Sequence, residues 1–280
     1  TFLDASKAFD RLNHWTLFQK LVKRGVDPYL VRIIMFWYRS QEMYVRWANT
    51  SSKHFTVSNG IKQGGIISPL LFNVYVNDLS TILNKTSIGC TIGDCLFNHL
   101  MYADDLVLIS LSSRGMQSLL NICKQYADDH NLVFNSKKTQ CMVFKPKGIK
   151  FENPLLYLDG SVLEFVDSCK YLGTFIDTNG AMFDIKRQIR KAYGSSNVLI
   201  TKFGQCTPEV KCKLFSAYCS NLYCPQFWYG GTISLLNKLR VAYNNSLRRL
   251  LKIPITSASD MFASLKIPCF NSPALIGKAS

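Results

Sequence analysis

Hydrophobic and polar positions follow two different rhythms along the chain, and the change falls near residue 180. Before it, short apolar runs bounded by polar turns alternate with stretches of helical spacing, which predicts a mixture of strands and helices. After it, apolar residues recur every three to four positions, as Ile185, Ile189 and Tyr193 do, which predicts amphipathic helices. We therefore expect an α+β part followed by an all-helical part.

Local signals place several elements in the first part. The apolar run that ends at Asp4 predicts a strand, and Gly25 is predicted to end a helix. Asp27 followed by Pro28 has the chemistry of a helix start. "MYVRWA" and "HFTVS" predict two strands joined by the polar turn "NTSSK". Ser68, which precedes a proline, is predicted to cap the next helix.

The letters YADD occur twice, at 102–105 and at 126–129. Apolar, β-prone residues flank the first quartet, which predicts a hairpin with its aspartates near the tip. The second quartet ends a stretch of helical spacing. Asp128 and Asp129 would oppose the dipole of that helix, so they are expected to point to solvent. Only the first quartet is predicted to have a chemical role.

Strands are also predicted farther along, at "CMVFK", "LLYLDGSVL" and "CKYLGTFID", the second of these with an Asp-Gly turn. Beyond residue 180, Thr207 and Pro208 predict another helix start, and "KLRVAYNNSLRRLLK" predicts a basic helix.

The charge of the chain is uneven. Its 280 residues have a net charge of +15. Residues 1–180 hold 19 Lys and Arg against 15 Asp and Glu, whereas residues 181–280 hold 14 against 3. The basic end favours a polyanion, nucleic acid before an anionic membrane surface. No apolar run approaches the roughly 20 residues of a membrane span, and no signal peptide is visible, so we expect a soluble, intracellular protein.

Ten cysteines raise the question of a metal site. Cys206, Cys212, Cys219 and Cys224 are spaced by six, seven and five residues, which does not match a zinc knuckle or ribbon. We expect buried free thiols in a reducing compartment.

The first quartet has the chemistry of a magnesium site. Adjacent aspartates at a hairpin tip, Asp104 and Asp105, repel each other unless a cation lies between them. Mg²⁺ takes oxygen ligands from carboxylates and substrate phosphates. Asp4 ends a strand that the order of segments allows beside the hairpin. Three carboxylates there could hold two metals for an in-line displacement.

Five motifs then occur in a fixed order: "FLDASKAFD", "GIKQGGIISPLLFN", "YADD", "LVFNSKKTQCMVF" and "KYLGTFID". They resemble polymerase motifs A to E of the reverse transcriptases of LINE-type, non-LTR retrotransposons. The resemblance implies a polymerase palm, an antiparallel sheet with packed helices and motifs A to D, over 1–150. It further implies a primer-grip β segment over 151–180 and a basic, thumb-like helical region over 181–280. Because the likeness starts at motif A, we expect the fingers to be absent and the chain to be part of a longer protein.

The resemblance also implies roles for single residues. Asp4 and Asp104 would bind two Mg²⁺ ions, for which Mn²⁺ could substitute, with Asp105 as a third carboxylate. Phe9 would lie under the incoming sugar and favour deoxynucleotides. Asp10 belongs to the motif, but capping or solvation suits it better than catalysis.

Other roles lie in motifs B, D and E and in the basic region. Gln63 and Gly64 would contact the nucleotide, and Lys138 would be the acid for the pyrophosphate leaving group, with Lys137 as a rival. Contacts to nucleic acid are expected from Gly65, Leu172, Gly173, Lys186, Arg187, Arg190 and Lys191.

The implied activity is RNA-directed DNA synthesis from dNTPs on an RNA template with a DNA primer, with the RNA–DNA hybrid held by its phosphates. Fingers and an endonuclease would belong to the parent polyprotein, and the resemblance implies that it would act in the nucleus and cytoplasm. Two alternatives stay open: an inactive remnant that binds nucleic acid through its basic region, and another polymerase, of intron type or RNA-synthesising. Phe9 and the Tyr102–Ala103 lead argue against RNA synthesis. Since three residues precede Asp4 and chain ends fray, we expect its strand to be loosely held.

Overall fold

The structure is a computed structural model that describes residues 1–145, 152–178, 182–219 and 233–254. These residues form two compact units. The first comprises 1–143 and 152–166, and the second consists mainly of the described residues from 167 onward. The first unit mixes strands and helices and the second is largely helical, so the coarse α+β prediction is confirmed. The boundary between the units, at residues 166 and 167, lies inside the predicted primer-grip segment, 151–180. It therefore comes before the change of pattern near residue 180.

Three helices in the first unit begin after a side chain that accepts a free backbone N–H, namely Asn13, Asp27 and Ser112. Asp27 accepts a hydrogen bond from the Tyr29 N–H at 2.7 Å, as its sequence position predicts. The prediction that Ser68 is a cap is wrong. Ile67 holds the cap position, and the Ser68 hydroxyl donates to the Lys62 carbonyl at 2.5 Å. The helices are α1 (Ala8–Arg11), α2 (His14–Lys23), α3 (Pro28–Arg39), α4 (Ser68–Asn84) and α5 (Ser113–Asp129).

The strands of this unit are mostly short. They are β1 (Phe2–Asp4), β2 (Glu42–Met43), β3 (Arg46–Trp47), β4 (Thr50–Ser51), β5 (Phe55–Thr56), β6 (Cys90–Ile92), β7 (Cys95–Phe97), β8 (His99–Tyr102), β9 (Asp105–Leu108), β10 (Gln140–Cys141), β11 (Tyr157–Leu158), β12 (Ser161–Val162) and β13 (Glu164–Phe165). Five of them form one sheet in the order β13-β10-β1-β9-β8. The expected antiparallel sheet is found except at one edge, where β13 pairs with β10 in parallel.

The segment after α3 is a two-tier hairpin in which β2 pairs with β5 and β3 with β4. The predicted turn "NTSSK" is therefore too long. Thr50 and Ser51 pair with Trp47 and Arg46, which leaves the bend around Ala48, whose φ is +50°. Farther along, the predicted Asp-Gly turn joins β11 to β12.

A buried lysine cross-links the helices of the first unit. The Lys20 ammonium of α2 donates to the Tyr75 carbonyl at 2.8 Å, to Asp78 at 2.6 Å and to the Tyr126 hydroxyl at 3.0 Å. Burial lowers the pKa of Lys20 despite the Asp78 carboxylate. Tyr126 belongs to the second YADD quartet, which therefore has a packing role. Its aspartates at 128 and 129 are exposed, as predicted.

The second unit begins with a hairpin and continues as helices. Its elements are β14 (Ser168–Tyr171), β15 (Thr174–Asp177), α6 (Met182–Phe203), α7 (Pro208–Tyr218) and α8 (Ile233–Leu251). Ile185, Phe215 and Tyr243 lie at the centre of its apolar core.

Cys212 and Cys219 are free thiols buried in that core. Burial raises the pKa of Cys219 to about 11. Residue 224, the fourth cysteine of the sequence cluster, lies outside the described residues. No helix in the described ranges is long and apolar enough to cross a bilayer.

Candidate active site

The register of the central sheet brings the predicted carboxylates together. β1 and β9 are antiparallel, and Asp4 stands directly opposite Asp105. On its other side Asp105 is opposite Tyr102 of β8. Ala103, at φ +52°, and Asp104 form the turn between β8 and β9. Facing residues of an antiparallel pair project to the same side of a sheet, so the strand end and the turn present the three aspartates at one edge.

β1 pairs with a strand on each side, which does not fit the expectation of a loosely held strand. The amino group of Thr1 donates to the Leu108 carbonyl at 2.8 Å, and its hydroxyl lies 3.2 Å from the Cys141 sulfur. β10 pairs along the other side, with Phe2 opposite Gln140. Pairing on both flanks fixes Asp4 relative to the hairpin.

The segment between α5 and β10 borders Asp4. Asn135 donates its N–H to the Asp4 carbonyl at 2.8 Å, and the buried Thr139 hydroxyl accepts the Asp4 N–H at 3.4 Å. The Lys138 ammonium lies 3.8 Å from the Asp4 carboxylate, whereas the Lys137 N–H donates to the Asn135 side chain at 3.1 Å. Sequence reasoning missed Asn135, although an Asn that caps its own turn is a readable signal.

The charges of Asp4 and Asp104 act on the neighbouring Asp105 carboxylate. Partial burial raises the pKa of Asp105, and the charges of Asp104 and Asp4 raise it further. Within the described residues, no three carboxylate, histidine or cysteine side chains are gathered closely enough to ligate an ion as they stand. The donor set nevertheless consists of oxygens, which suits Mg²⁺, and a cation would relieve the mutual repulsion.

Phe9, in α1, contacts both α4 and the loop that precedes it. Its ring is half-buried and stacks on Phe72 of α4, with centroids 4.6 Å apart and planes 14° apart. The Phe9 carbonyl accepts the Ile61 N–H at 2.8 Å. A Cβ on Gly60 would lie 2.8 Å from the Asp10 carbonyl oxygen. Only glycine therefore permits this close contact between motifs A and B.

The motif B loop has two glycines with different constraints. Gly64 has φ +78° and open space where a Cβ would lie. A Cβ on Gly65 would meet the Ser68 hydroxyl at 2.6 Å. Gln63, the side chain of this loop that we expect near the nucleotide, donates to Asp10 at 3.3 Å. This bond joins motif B to motif A.

In the second unit, the turn between β14 and β15 is formed by Leu172 at φ +46° and Gly173 at φ +81°. Arg187 of α6 donates to the Gly173 carbonyl at 3.0 Å and to Asp184 at 2.7 Å. Its guanidinium also lies 5.2 Å from the centre of the Phe175 ring. Arg187 thus holds this turn. The other three predicted contacts on α6, Lys186, Arg190 and Lys191, are exposed.

The family described as "Reverse transcriptase (RNA-dependent DNA polymerase)" matches residues 1–176. The chain belongs to the reverse transcriptase family. The match covers the first four motifs that carried the resemblance and all but the last residue of the fifth, Asp177, and it includes the strand of Asp4.

Relatives of this reverse transcriptase chain come from mobile elements. It is 30% identical over 187 residues to the Retrovirus-related Pol polyprotein from type-2 retrotransposable element R2DM of Drosophila melanogaster, covering 64% of this chain and 17% of that protein. It is 25% identical over 284 residues to the RNA-directed DNA polymerase from mobile element jockey of the same species, covering 95% of this chain and 30% of that protein. The chain thus spans less than a third of these curated relatives, and the resemblance to retrotransposon enzymes is confirmed.

A solved structure of telomerase from Candida albicans, in complex with a fragment of telomeric RNA, aligns over 95% of this chain and 48% of that one. Its TM-score is 0.39 at 13% identity. At that level the likeness carries no argument.

Proposed function

We propose that this chain supplies the catalytic part of a retrotransposon reverse transcriptase, an RNA-directed DNA polymerase that extends a DNA primer from dNTPs on an RNA template. The first unit would be the palm, and β14–β15 with the described helices after it would be the primer grip and a thumb-like region. One observation carries the proposal: Asp4 faces Asp105 across two paired strands, with Asp104 in the adjoining turn. Membership of the family supports it.

Asp4, Asp104 and Asp105 would hold the Mg²⁺ ions, which supply charge stabilisation for the attacking and leaving oxygens. The chain's own residues position the reactants and place charge around them, as in other phosphoryl transfers. Lys138 lies beside Asp4 and can give a proton to the departing pyrophosphate. Phe9, which stacks on Phe72, would lie under the incoming sugar and clash with a 2′-hydroxyl.

Gln63 and Gly64 would meet the incoming nucleotide and Gly65 the adjoining strand, since a loop of glycines lets a backbone approach closely. Leu172 and Gly173 would support the primer end. Lys186, Arg190 and Lys191 would contact phosphates, without sequence preference and with strong salt dependence. Upstream fingers and an endonuclease would come from the parent polypeptide.

The test is primer extension on an RNA template with Mg²⁺ and dNTPs, by this chain and by its parent polypeptide, each beside Asp104→Asn. We expect extension that Asp104→Asn abolishes, because the carboxylate charge at the turn is lost. Asp128→Asn, in the second quartet, is the matched control and keeps full activity. Hybrid binding without extension by either protein would favour the inactive remnant instead.

A further inference from the structure

A buried histidine joins the helix after motif A to the segment before motif B. His14, the first residue of α2, is 8% exposed, and its Nε2 lies 2.5 Å from the Gly60 carbonyl oxygen. A carbonyl can only accept, so Nε2 carries a proton and donates it to this bond. The rings of Tyr38 and Phe18 pack against the imidazole, with centroids 5.1 and 6.2 Å from its own. The surrounding rings thus hold the donor toward Gly60.

Backbone bonds beside Gly60 tie the same two segments together. The Gly60 N–H donates to the Leu12 carbonyl at 2.7 Å, and the Ile61 N–H donates to the Phe9 carbonyl at 2.8 Å. A Cβ at Gly60 would overlap the backbone of motif A, so the segments touch with no side chain between them. The segment before the motif B loop is therefore attached to motif A by two backbone bonds and by one side-chain bond, that of the histidine.

The attached segments carry the two side chains that are expected at the nucleotide. Phe9 stacks on Phe72 of α4 with a half-buried ring. Gln63 lies three residues after Gly60 and donates back to Asp10 at 3.3 Å. Because Phe9 and Gln63 belong to segments that meet at Gly60, a movement of Gly60 would change the gap between their side chains.

We propose that His14 is a positioning residue that sets nucleotide selectivity: its bond to the Gly60 carbonyl holds motif B against motif A and keeps the space at Phe9 too small for a 2′-hydroxyl. His14 is buried, so it acts through Gly60 and not on a reactant. Without the donor a buried carbonyl is left short of a partner, which favours a shift of the backbone. Phe9 then has room to yield. The inference rests on the proposed function, which places Phe9 under the incoming sugar.

The experiment measures insertion of a single nucleotide opposite rA, from dTTP or from UTP, by this chain and by its parent polypeptide. We expect His14→Leu to lower the ratio of kcat/KM for dTTP to that for UTP about tenfold, since a misplacement of about 1 Å is enough to change rates by that much or more. Affinity for the RNA–DNA hybrid should not change. A histidine that only stabilised the fold would alter the amount of active protein, which scales both rates equally and leaves the ratio intact.

Two more substitutions at the same position test the donor itself. His14→Gln keeps an N–H about as far from the backbone as Nε2 is, so it should retain most of the ratio. His14→Asn is one bond shorter and should behave like His14→Leu.

His130→Leu is the matched control for loss of a histidine. The His130 Nδ1 also bonds a backbone carbonyl, that of Tyr126 at 2.9 Å, but it does so at the end of α5. This variant should leave the nucleotide ratio unchanged.

Hydrogen exchange tests the contact without catalysis. The Gly60 and Ile61 amides are bonded to carbonyls of motif A. They should exchange about tenfold faster in His14→Leu, because the segment opens more often, and at the unaltered rate in His130→Leu.

Three results would overturn the proposal: an unchanged nucleotide ratio in His14→Leu, an equal loss of the ratio in His130→Leu, or equal losses in His14→Gln and His14→Leu, which would assign the effect to packing. Absence of extension by both unaltered proteins would instead refute the proposed function and, with it, the role in selectivity. Faster amide exchange in His14→Leu would then still show that His14 holds motif B against motif A.

Discussion

At the scale of single residues, two glycines have similar backbone strain but differ in the space around them. Gly25 and Gly60 both adopt left-handed φ angles, +73° and +85°. A Cβ on Gly25 would meet nothing within 4 Å, whereas one on Gly60 would press on the backbone of Asp10. Conformation alone costs an ordinary residue about 1 kcal/mol at such a position. At Gly60 the close contact between motif A and motif B therefore requires glycine in addition to the left-handed φ angle.

We expect Gly25→Ala to lower the free energy of unfolding by about 1 kcal/mol. Gly60→Ala should lower it by about 3 kcal/mol, since the backbone must also shift to relieve overlap. Urea denaturation followed by circular dichroism measures both values. Equal losses in the two variants would mean that the contact at Asp10 relaxes freely.

Two histidines of the first unit predict a pH dependence. Burial lowers the pKa of His99, and burial together with the Lys20 charge lowers that of His130. The unfolded chain therefore takes up protons at a higher pH than the folded chain. Below about pH 6.5 the free energy of unfolding should fall as pH falls. Urea denaturation at about pH 7.5 and 5.5 should show this fall, and His99→Gln with His130→Gln should reduce it. An undiminished fall in the double variant would assign it to other groups.

At the scale of elements, the sequence predicts what local chemistry determines. The strand at Asp4, the YADD hairpin and the helix start at Asp27–Pro28 each follow from a short pattern of apolar, turn and cap residues. Contacts between distant segments do not. Ser68 has the chemistry of a cap, yet its hydroxyl bonds to Lys62 because the loop before α4 folds back on itself. The parallel pairing of β13 likewise depends on which edge of the sheet is open.

Arg187 illustrates this at the hairpin of the second unit. A basic stripe on a helix predicts a phosphate contact, but Asp184, 2% exposed, and the Gly173 carbonyl hold this guanidinium. Arg187→Leu should lower the free energy of unfolding by about 3 kcal/mol, because it removes the charge that balances a buried carboxylate. Arg190→Leu, at an exposed position of the same helix, should change it by less than about 0.5 kcal/mol. Urea denaturation measures both values. Similar losses in both variants would contradict a stabilising role for the contacts of Arg187 with Asp184 and Gly173.

At the scale of the whole molecule, the order of the five motifs is enough to indicate the family without any knowledge of contacts. The division of charge was equally readable, since 11 of the 15 net positive charges lie in residues 181–280, from 14 basic minus 3 acidic. Sequence could not show which of these cations reach solvent, because burial depends on how α6, α7 and α8 pack. Lys211 illustrates the limit, since it is 8% exposed despite lying in the basic region.

Exposed cations of α6 should therefore set the salt dependence of hybrid binding. Replacing Lys186, Arg190 and Lys191 with Gln should reduce the slope of log affinity against log salt by about two to three, because up to three phosphate contacts are lost. The same replacement at Lys23, Lys85 and Arg114, all exposed in the first unit, controls for net charge.

Titration of an RNA–DNA hybrid between low and moderate salt measures both triple variants. If the control lowers the slope as much, net charge alone attracts the nucleic acid and α6 is no defined contact. If the slope falls only in the α6 variant, and by the same amount for hybrids of different sequence, the cations of α6 contact phosphates.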